Sequence, residues 1–216
     1  MQSKQELLDH SEITTPEEIP FPRGEIKRLN NRKWILKYPK KNAVGAEIGV
    51  FRGHFSEYLI EILSPKRIYL VDPWTTIGES FGWGVNSPYT GFGKLTTKFA
   101  YEDTQRRVAK FKDTDTRLIE TTATVFLNNI EEKLDWVYLD ASHLFKATFN
   151  ELMLIDKVLN DDGYIIGDDW RQDRNNKHHG VFRAVNEFIK IKDYEFVAAG
   201  KGAQWCIRRC HKSNIE

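Results

Sequence analysis

Two acids and two glycines in the first half of the chain are the residues whose types and spacing most clearly suggest a binding site. Glu47, Gly49 and Gly53 form a Glu-x-Gly-x-x-x-Gly motif between an apolar strand and a helix, and Asp72 ends the next strand. Glycines let the backbone approach a ligand closely, and a strand-end carboxylate can bind both hydroxyls of a ribose. The acid before the first glycine would repel a pyrophosphate but suits a ligand with a cationic, amino-acid-like end. This layout predicts a nucleoside pocket that departs from the dinucleotide fingerprint Gly-x-Gly-x-x-Gly.

Further acids follow later strands. Asp140 ends one predicted strand, and Asp168 and Asp169 end another. In open parallel sheets, ligands bind beyond the carboxyl ends of the strands. The sequence therefore predicts that these three acids share one rim of a sheet with Glu47 and Asp72.

Apolar patterning alternates strands with helices from residue 43 onward. Strands are predicted at 44–50, 67–71, 116–120, 135–139, 164–167, 194–198 and 203–208, helices at 55–63, 145–159 and 180–190, and a turn at 160–163. This alternation indicates a doubly wound, Rossmann-like α/β fold with a seven-stranded, mostly parallel sheet. The last two strands are joined by too few residues for a helical crossover, so we expect them to form an antiparallel C-terminal hairpin.

Two segments lie outside this alternation. Residues 1–41 are predicted to form a polar N-terminal arm or cap, with a short helix around 33–37, and residues 42–216 the main domain. The stretch 73–93 is rich in glycine and aromatic residues and belongs to a predicted insertion at 73–100. It is long for a loop in a compact domain. We interpret it as a lid or substrate loop; the alternative is an insertion whose aromatic residues pack onto the domain.

Bulk composition excludes several classes of protein. The formal net charge of +1 gives no field that would draw the chain to nucleic acid or an anionic membrane. No window approaches the ~20 apolar residues of a membrane span, and the first 20 residues have no apolar signal-peptide core. Cys206 and Cys210 make neither a disulfide framework nor a zinc site. A reducing, cytoplasmic location fits best, and a homo-oligomer is left open.

With these motifs in hand, residues 40–208 resemble the class I S-adenosylmethionine-dependent methyltransferases. Within them the chain is most similar to the macrocin O-methyltransferase-like family, which modifies sugars in natural products. The glycine motif, the acid Asp72, and Asp140 followed by the pair Asp168 and Asp169 carry the resemblance in that order. The chain departs from the family at Ser142, where an acid is frequent, and in the stretch 73–93.

The resemblance implies S-adenosylmethionine as the methyl donor. The implied cofactor-binding residues are Glu47, Gly49, Gly53, Asp72, Thr122 and Asp140. Glu47 is expected near the amino group of the cofactor, the glycines beneath its methionine portion, and Asp72 on its ribose. Thr122 is expected at the adenine edge, with Pro73 or Trp74 beside the ring.

The same resemblance implies a metal site at Asp140, Asp168 and Asp169. These residues offer only hard oxygen ligands, a set that suits Mg²⁺, with Mn²⁺ or Ca²⁺ as alternatives. A metal there would bind two neighbouring oxygens of an acceptor and lower the pKa of its hydroxyl. The alternative is that Asp168 and Asp169 bind loop amides while Asp140 holds the cofactor.

His143 and Asp140 are the predicted catalytic residues. A histidine near its ordinary pKa of ~6.5 can deprotonate a hydroxyl at neutral pH; the alternative is a histidine that caps the following helix. Secondary candidates for base, cofactor or substrate contacts are His54, Arg52, Arg171, His178 and His179. Each of these has a plainer interpretation as an exposed loop residue, a helix-start residue or an ion-pair partner.

The function predicted from the sequence is a metal-dependent O-methyltransferase acting on a hydroxyl of a small molecule. A sugar or glycosylated natural product is the first choice of acceptor, and a phenol or catechol the second. A non-catalytic nucleotide-binding partner protein is the alternative from a different class. A nucleic-acid methyltransferase is disfavoured because the chain lacks an Asn/Asp-Pro-Pro-Tyr tetrapeptide and a Pro-Cys nucleophile motif.

Overall fold

The computed structural model describes residues 19, 21–22, 24–84 and 86–210. Within these residues, seven strands form one sheet: β1 (Val44–Ile48), β2 (Arg67–Asp72), β3 (Asp115–Glu120), β4 (Leu134–Leu139), β5 (Leu159–Gly167), β6 (Tyr194–Gly200) and β7 (Gln204–Arg209). The α-helices are α1 (Glu25–Arg32), α2 (His54–Leu63), α3 (Thr97–Val108), α4 (Ala123–Asn129), α5 (Phe145–Val158) and α6 (His179–Ile191). No helix in these described ranges is both long enough and apolar enough to cross a bilayer.

The strand order is β3-β2-β1-β4-β5-β7-β6. Neighbouring strands from β3 to β5 are parallel, whereas β7 runs antiparallel to both β5 and β6. The predicted Rossmann-like sheet with its antiparallel C-terminal pair is therefore confirmed. Because the chain leaves β1 toward β2 on one side and later returns to β4 on the other, a crevice opens at the carboxyl ends of these central strands.

The central strands are apolar on both faces because helices cover both sides of the sheet. Trp136, Val137 and Tyr138 of β4 are all fully buried. Trp136 and Tyr138 pack in one core cluster, and Val137 packs in the other. Strands of a parallel sheet that is covered on both faces have nearly continuous apolar sequences, so they can be recognised from the sequence.

Several elements differ from the sequence-based prediction. The predicted turn at 160–163 is part of β5, because β5 pairs with β4 through a register shift and Asn160 donates to Asp135 across that pair over 2.9 Å. Helices α1, α3 and α4 were not predicted. The buried faces of α1 and α3 include polar residues, such as Arg32 of α1 and Asp103 of α3. Helix α4 has only 7 residues, too few to show a helical period in the sequence.

The described part of the predicted N-terminal arm packs against the main domain. Ile35 and Leu36 are fully buried and join the core cluster of the sheet. Trp34 Nε1 donates to the carbonyl oxygen of Lys201 over 2.7 Å, which connects the arm to the β6–β7 turn. Residues 1–18 lie outside the described residues, and the boundary at residue 41 stays a prediction.

The insertion at 73–100 both packs onto the domain and faces the crevice. Trp74 is fully buried and its Nε1 donates to the carbonyl oxygen of Phe51 over 2.8 Å. The ring of Phe81 stacks on Trp83 with centroids 5.1 Å apart, and Trp83 is 54% exposed. The structure therefore combines features of both interpretations of this segment, and a lid function stays a prediction.

A buried ion pair ties the glycine loop to α3, and removing its carboxylate is expected to destabilise the protein. Arg52 Nε lies 2.7 Å from Asp103 Oδ2, and the two side chains are 2% and 0% exposed. Asp103→Ala leaves the Arg52 charge buried without this carboxylate, so we expect the free energy of unfolding to fall by about 3–5 kcal/mol in urea titrations. Glu102→Ala is the control on the same helix, because its pair with exposed Lys98 spans 3.8 Å and contributes about 0–1 kcal/mol. Equal losses in the two variants would contradict this prediction.

Candidate functional site

A cavity of about 940 Å³ opens at the carboxyl ends of β1, β2, β4 and β5. The five acids predicted to share a rim of the sheet all line it: Glu47, Asp72, Asp140, Asp168 and Asp169. They meet because parallel strands bring their carboxyl ends to one edge, although the acids are spread over more than a hundred residues of sequence.

Gly49 lies where the ends of β1 and β4 come closest. Its φ is +88°, and a Cβ there would lie 2.1 Å from the carbonyl oxygen of Asp140. Gly49 lines the cavity as predicted. Gly53 is not on the cavity wall; with φ +70° it precedes the first residue of α2, and its Cα faces Thr104 of α3. Gly53 therefore shapes the helix start, and its contact with the cofactor stays a prediction.

Asp72 organises the glycine loop. Its Oδ2 accepts hydrogen bonds from the backbone amides of Val50 and Phe51 at 3.0 and 2.9 Å, and its Oδ1 accepts from the amide of Trp74 at 3.1 Å. Burial raises the pKa of Asp72, and these backbone hydrogen bonds oppose the rise. A carboxylate offers about four acceptor positions, so capacity remains for a ligand hydroxyl.

Glu47 is a buried carboxylate on the cavity wall. It is 1% exposed and accepts a hydrogen bond from Ser56 Oγ. Burial raises the pKa of Glu47 well above its ordinary value, against the effect of the Ser56 hydrogen bond. A cationic ligand group beside it would compensate for the loss of water around this carboxylate.

Of the residues predicted to lie near the adenine, some line the cavity and one is buried in the hydrophobic core. Thr122 and Pro73 line the cavity, and the Thr122 side chain also caps α4 by accepting from the amide of Val125 at 3.3 Å. Trp74 lies in the core and does not line the cavity. Of the two predicted neighbours of the ring, only Pro73 is placed to contact a ligand.

Asp140 and Asp168 are bridged by a guanidinium. Arg32 Nη1 donates to Asp140 Oδ2 over 2.8 Å, its Nη2 contacts Asp168 Oδ2, and Arg28 Nη1 lies 3.0 Å from the same Asp168 oxygen. Burial would raise the pKa of Asp140, but Arg32 and His143 hold it below its ordinary value. Sequence reasoning missed both arginines; the available signal was their i, i+4 spacing, which puts them on one face of α1.

His143 belongs to a cluster around Asp169. Its Nε2 lies 3.0 Å from Asp169 Oδ2 and 3.7 Å from Asp140 Oδ1. His178 Nδ1 lies 2.7 Å from the same Asp169 oxygen, and the two imidazole rings are 4.1 Å apart. Burial would lower the pKa of His143, but Asp140 and Asp169 raise it above its ordinary value. The predicted base therefore sits at the cavity with an orienting carboxylate, and His178 is beside it.

Comparison with known protein families identifies the chain. A family model described as a methyltransferase domain matches residues 46–170, more than half of the chain. The chain belongs to this methyltransferase domain family. No curated protein matches the sequence.

Solved structures show the same fold at low sequence identity. The O-methyltransferase NovP is 18% identical, with a TM-score of 0.56 over 86% of this chain and 81% of NovP. An O-methyltransferase from Bacillus cereus in complex with S-adenosylhomocysteine is 11% identical, with a TM-score of 0.55 over 89% and 86% of the two chains. An rRNA methylase from Streptococcus thermophilus is 11% identical, with a TM-score of 0.53 over 93% and 100%. These structures share the fold of the chain, and the family match makes the protein a methyltransferase.

Two groups of residues in the described part of this methyltransferase bring possible metal ligands within 4.8 Å of one another. One is the predicted set Asp140, Asp168 and Asp169; the other is His143, Asp169 and His178. The oxygen donors of the first set suit Mg²⁺, but Arg32 occupies the space between two of its three carboxylates. As arranged, this set does not fit a divalent ion unless the guanidinium leaves.

Glu151 is a cavity residue of this methyltransferase that sequence reasoning missed. It lies on α5, is 7% exposed, and its buried Oε2 has no hydrogen-bond partner within the described ranges. Burial raises the pKa of Glu151 to about 7, and the nearby charge of His143 opposes the rise. Its position on the same helix face as Leu152 and Ile155 makes it look like a core position in the sequence.

His54 and Arg52 of the methyltransferase have mainly structural surroundings. His54 lines the cavity and stacks on Phe21 with ring centroids 3.9 Å apart. Burial, with Arg107 and Arg52 nearby, lowers the pKa of His54 to about 3, so the ring is neutral. Arg52 also lines the cavity, and its ion pair with Asp103 is buried rather than on the surface as its plainer interpretation predicts.

Arg171 and His179 lie in the segment after the acidic pair. Arg171 lines the cavity with its Nε 3.9 Å from Asp169 Oδ1. His179 does not line the cavity, and its Nδ1 is 2.9 Å from the carbonyl oxygen of Arg171. Of the two adjacent histidines in this segment, His178 is the one that joins the site.

Proposed function

We propose that this methyltransferase transfers the methyl group of S-adenosylmethionine to a hydroxyl of a small molecule. The observation that carries the proposal is a single cavity that holds two sets of groups. Glu47, Gly49 and Asp72 lie on its wall, and so does the imidazole of His143 beside Asp169. The first set suits an amino-acid-bearing nucleoside, and the second suits the removal of a proton from an acceptor.

The cofactor is proposed to be bound by carboxylates and by close contact with the backbone at Gly49. Glu47 would bind the cationic amino group, Asp72 the ribose hydroxyls, and Thr122 with Pro73 the adenine edge. Gly49 lets the backbone pass against the ligand where any side chain would meet Asp140. When bound, S-adenosylmethionine supplies an electrophilic methyl group on a sulfonium ion.

On the acceptor side, His143 is proposed as the general base. If Nε2–H donates to Asp169 Oδ2 at 3.0 Å, the neutral imidazole has Nδ1 free to accept the hydroxyl proton. Asp169 and Asp140 stabilise the imidazolium that results. The protein's remaining task is to align the hydroxyl oxygen with the methyl carbon and exclude water.

A sugar hydroxyl is the proposed acceptor, with a phenol or catechol as the alternative. The motif resemblance to sugar O-methyltransferases supports the first. The partly exposed ring of Trp83, which lines the cavity with Phe81 and Tyr89, offers an apolar face to either. A net charge of +1 supports a small-molecule acceptor over nucleic acid. A cytoplasmic location and a homo-oligomer stay predictions. The Mg²⁺ requirement predicted from the sequence is not part of this proposal, because Arg32 lies between Asp140 and Asp168.

Thermal unfolding with added ligands tests the cofactor assignment. S-adenosylhomocysteine is expected to raise the melting temperature, because a ligand at a hundred times its dissociation constant stabilises the folded state by about 2.7 kcal/mol. Glu47→Gln is expected to weaken this shift, and Glu187→Gln on the exposed face of α6 is the matched control. A shift produced by NAD and not by S-adenosylhomocysteine would refute the assignment.

A further inference from the structure

A side chain of this protein takes the place between two strand-end carboxylates where a divalent ion would be expected. Asp140 follows β4 and Asp168 follows β5, and these strands are parallel neighbours. Arg32 Nη1 donates to Asp140 Oδ2 over 2.8 Å, and its Nη2 contacts Asp168 Oδ2. A planar guanidinium with two nitrogens on two carboxyl groups holds both side chains in defined orientations.

The position of Arg32 is set by contacts remote from the carboxylates. Arg32 is only 2% exposed, and Leu29 on the same helix is 4% exposed in the core. The chain just after α1 is held to the β6–β7 turn by the hydrogen bond from Trp34 Nε1 to Lys201. The part of α1 that carries Arg32 is therefore anchored to the domain by contacts that do not involve the carboxylates.

A second guanidinium adds positive charge beside Asp168. Arg28 Nη1 lies 3.0 Å from Asp168 Oδ2, and its Nε lies 2.6 Å from Glu25 Oε2. Tyr89, from the insertion, donates its hydroxyl to Glu25 Oε1 over 2.9 Å. A divalent ion added beside Asp168 would be repelled by two guanidinium groups at short range.

We propose that Arg32 is a built-in cation that replaces the divalent ion, so that methyl transfer by this protein does not require a metal. This inference rests on the proposed function. Arg32 acts as a positioning residue: it holds Asp140 and Asp168 in place and leaves Asp169 to orient His143. A guanidinium has no open coordination position for substrate oxygens. The acceptor therefore needs one hydroxyl near His143 rather than two neighbouring oxygens.

Mn²⁺ binding, followed by electron paramagnetic resonance, tests the proposal without an acceptor. The metal-free wild-type protein is expected to bind no Mn²⁺ at these carboxylates. Arg32→Met removes the cation and keeps an apolar stem, so the three carboxylates are expected to gain an Mn²⁺ site. Adding Asp168→Asn to Arg32→Met is expected to abolish that site. Arg171→Met, beside the third carboxylate Asp169, is the matched control and is expected to gain none.

Two results would overturn the proposal. One is Mn²⁺ binding to the wild-type protein that Asp168→Asn abolishes. The other is an Arg32→Met protein that is folded by circular dichroism and binds no Mn²⁺. If Arg32→Met does not fold, the wild-type titration still decides, together with S-adenosylhomocysteine formation after dialysis against EDTA. We expect undiminished turnover; turnover that disappears and returns with Mg²⁺ would refute the built-in cation.

The proposed function and this inference fail in different ways. Calorimetry with S-adenosylhomocysteine reports on the cofactor site around Glu47 and Asp72, whereas Mn²⁺ titration reports on the carboxylates around Arg32. A wild-type protein that does not bind S-adenosylhomocysteine refutes the proposed function. A wild-type protein that binds S-adenosylhomocysteine and also needs Mg²⁺ refutes only the role given to Arg32.

Discussion

Replacing His143 by alanine is expected to lower the turnover of the methyltransferase by about 10²–10⁴-fold, the usual contribution of a general base. His143 is the imidazole on the cavity wall that contacts both Asp169 and Asp140, so its loss removes the proton acceptor together with its orienting contacts. The affinity for S-adenosylhomocysteine should stay close to that of the wild type, because the proposed cofactor contacts are elsewhere. Turnover is measured as S-adenosylhomocysteine formation with acceptors from a screen of sugars and phenols, and affinity by calorimetry.

The pH profile separates a base from a merely structural histidine. The base works as neutral imidazole, and the carboxylates hold the pKa of His143 above its ordinary value. Wild-type turnover should therefore increase as pH rises through that pKa, and His143→Ala should lose this limb. His179→Ala is the control, since His179 lies off the cavity wall. A His143→Ala protein with wild-type turnover and an unchanged profile would remove His143 from this role.

Gly49→Ala is expected to abolish S-adenosylhomocysteine binding and to reduce the free energy of unfolding by about 3 kcal/mol or more. The new Cβ would lie 2.1 Å from the carbonyl oxygen of Asp140, so β1 and β4 must separate at the cavity. The backbone at φ +88° adds strain of its own. Urea unfolding measures the stability loss, and calorimetry measures ligand binding.

Gly24→Ala is a matched control for this substitution. Gly24 has the same φ of +88°, but a Cβ there meets nothing within 4 Å. It should therefore lose only the backbone contribution, about 1 kcal/mol, and keep ligand binding. Equal losses of stability in the two variants would show that the close approach of Gly49 to the carbonyl oxygen of Asp140 does not cause the loss.

The acids of the site could be predicted because their location follows from local pattern and topology alone. Each follows an apolar strand, and the alternation of strands with helices makes the sheet parallel. Asp72 and Asp168 therefore reach the same edge without any knowledge of packing. The five-acid rim and the antiparallel hairpin were predictable for this reason. The extent of β5 was not, because residues 160–163 have the composition of a turn and yet belong to the strand, at the register shift between the pairs Leu134–Leu159 and Trp136–Tyr164.

Which side chains line the cavity could not be predicted, because this depends on tertiary packing and not on the local sequence pattern. Trp74 and Pro73 are adjacent in sequence, yet one lies in the core and the other on the wall. Glu151 has the spacing of a core position on its helix but lies on the cavity wall, and its Oε2 has no hydrogen-bond partner among the residues that the structure describes. Which of two neighbouring side chains meets a ligand depends on how helices and loops lie on the sheet.

The amino-acid sequence by itself determined the class of fold and the row of carboxylates, since both depend on where the strands end. It also determined that the backbone at Gly49 can approach a ligand closely, since glycine has no side chain. Only the tertiary structure decided what neutralises those carboxylates. Arg32 meets Asp140 from 108 residues away in sequence, and Arg28 meets Asp168 from 140 residues away. Coulomb attraction acts through space and takes no account of chain order, so the charge partner of a buried acid is known only once distant segments are packed together.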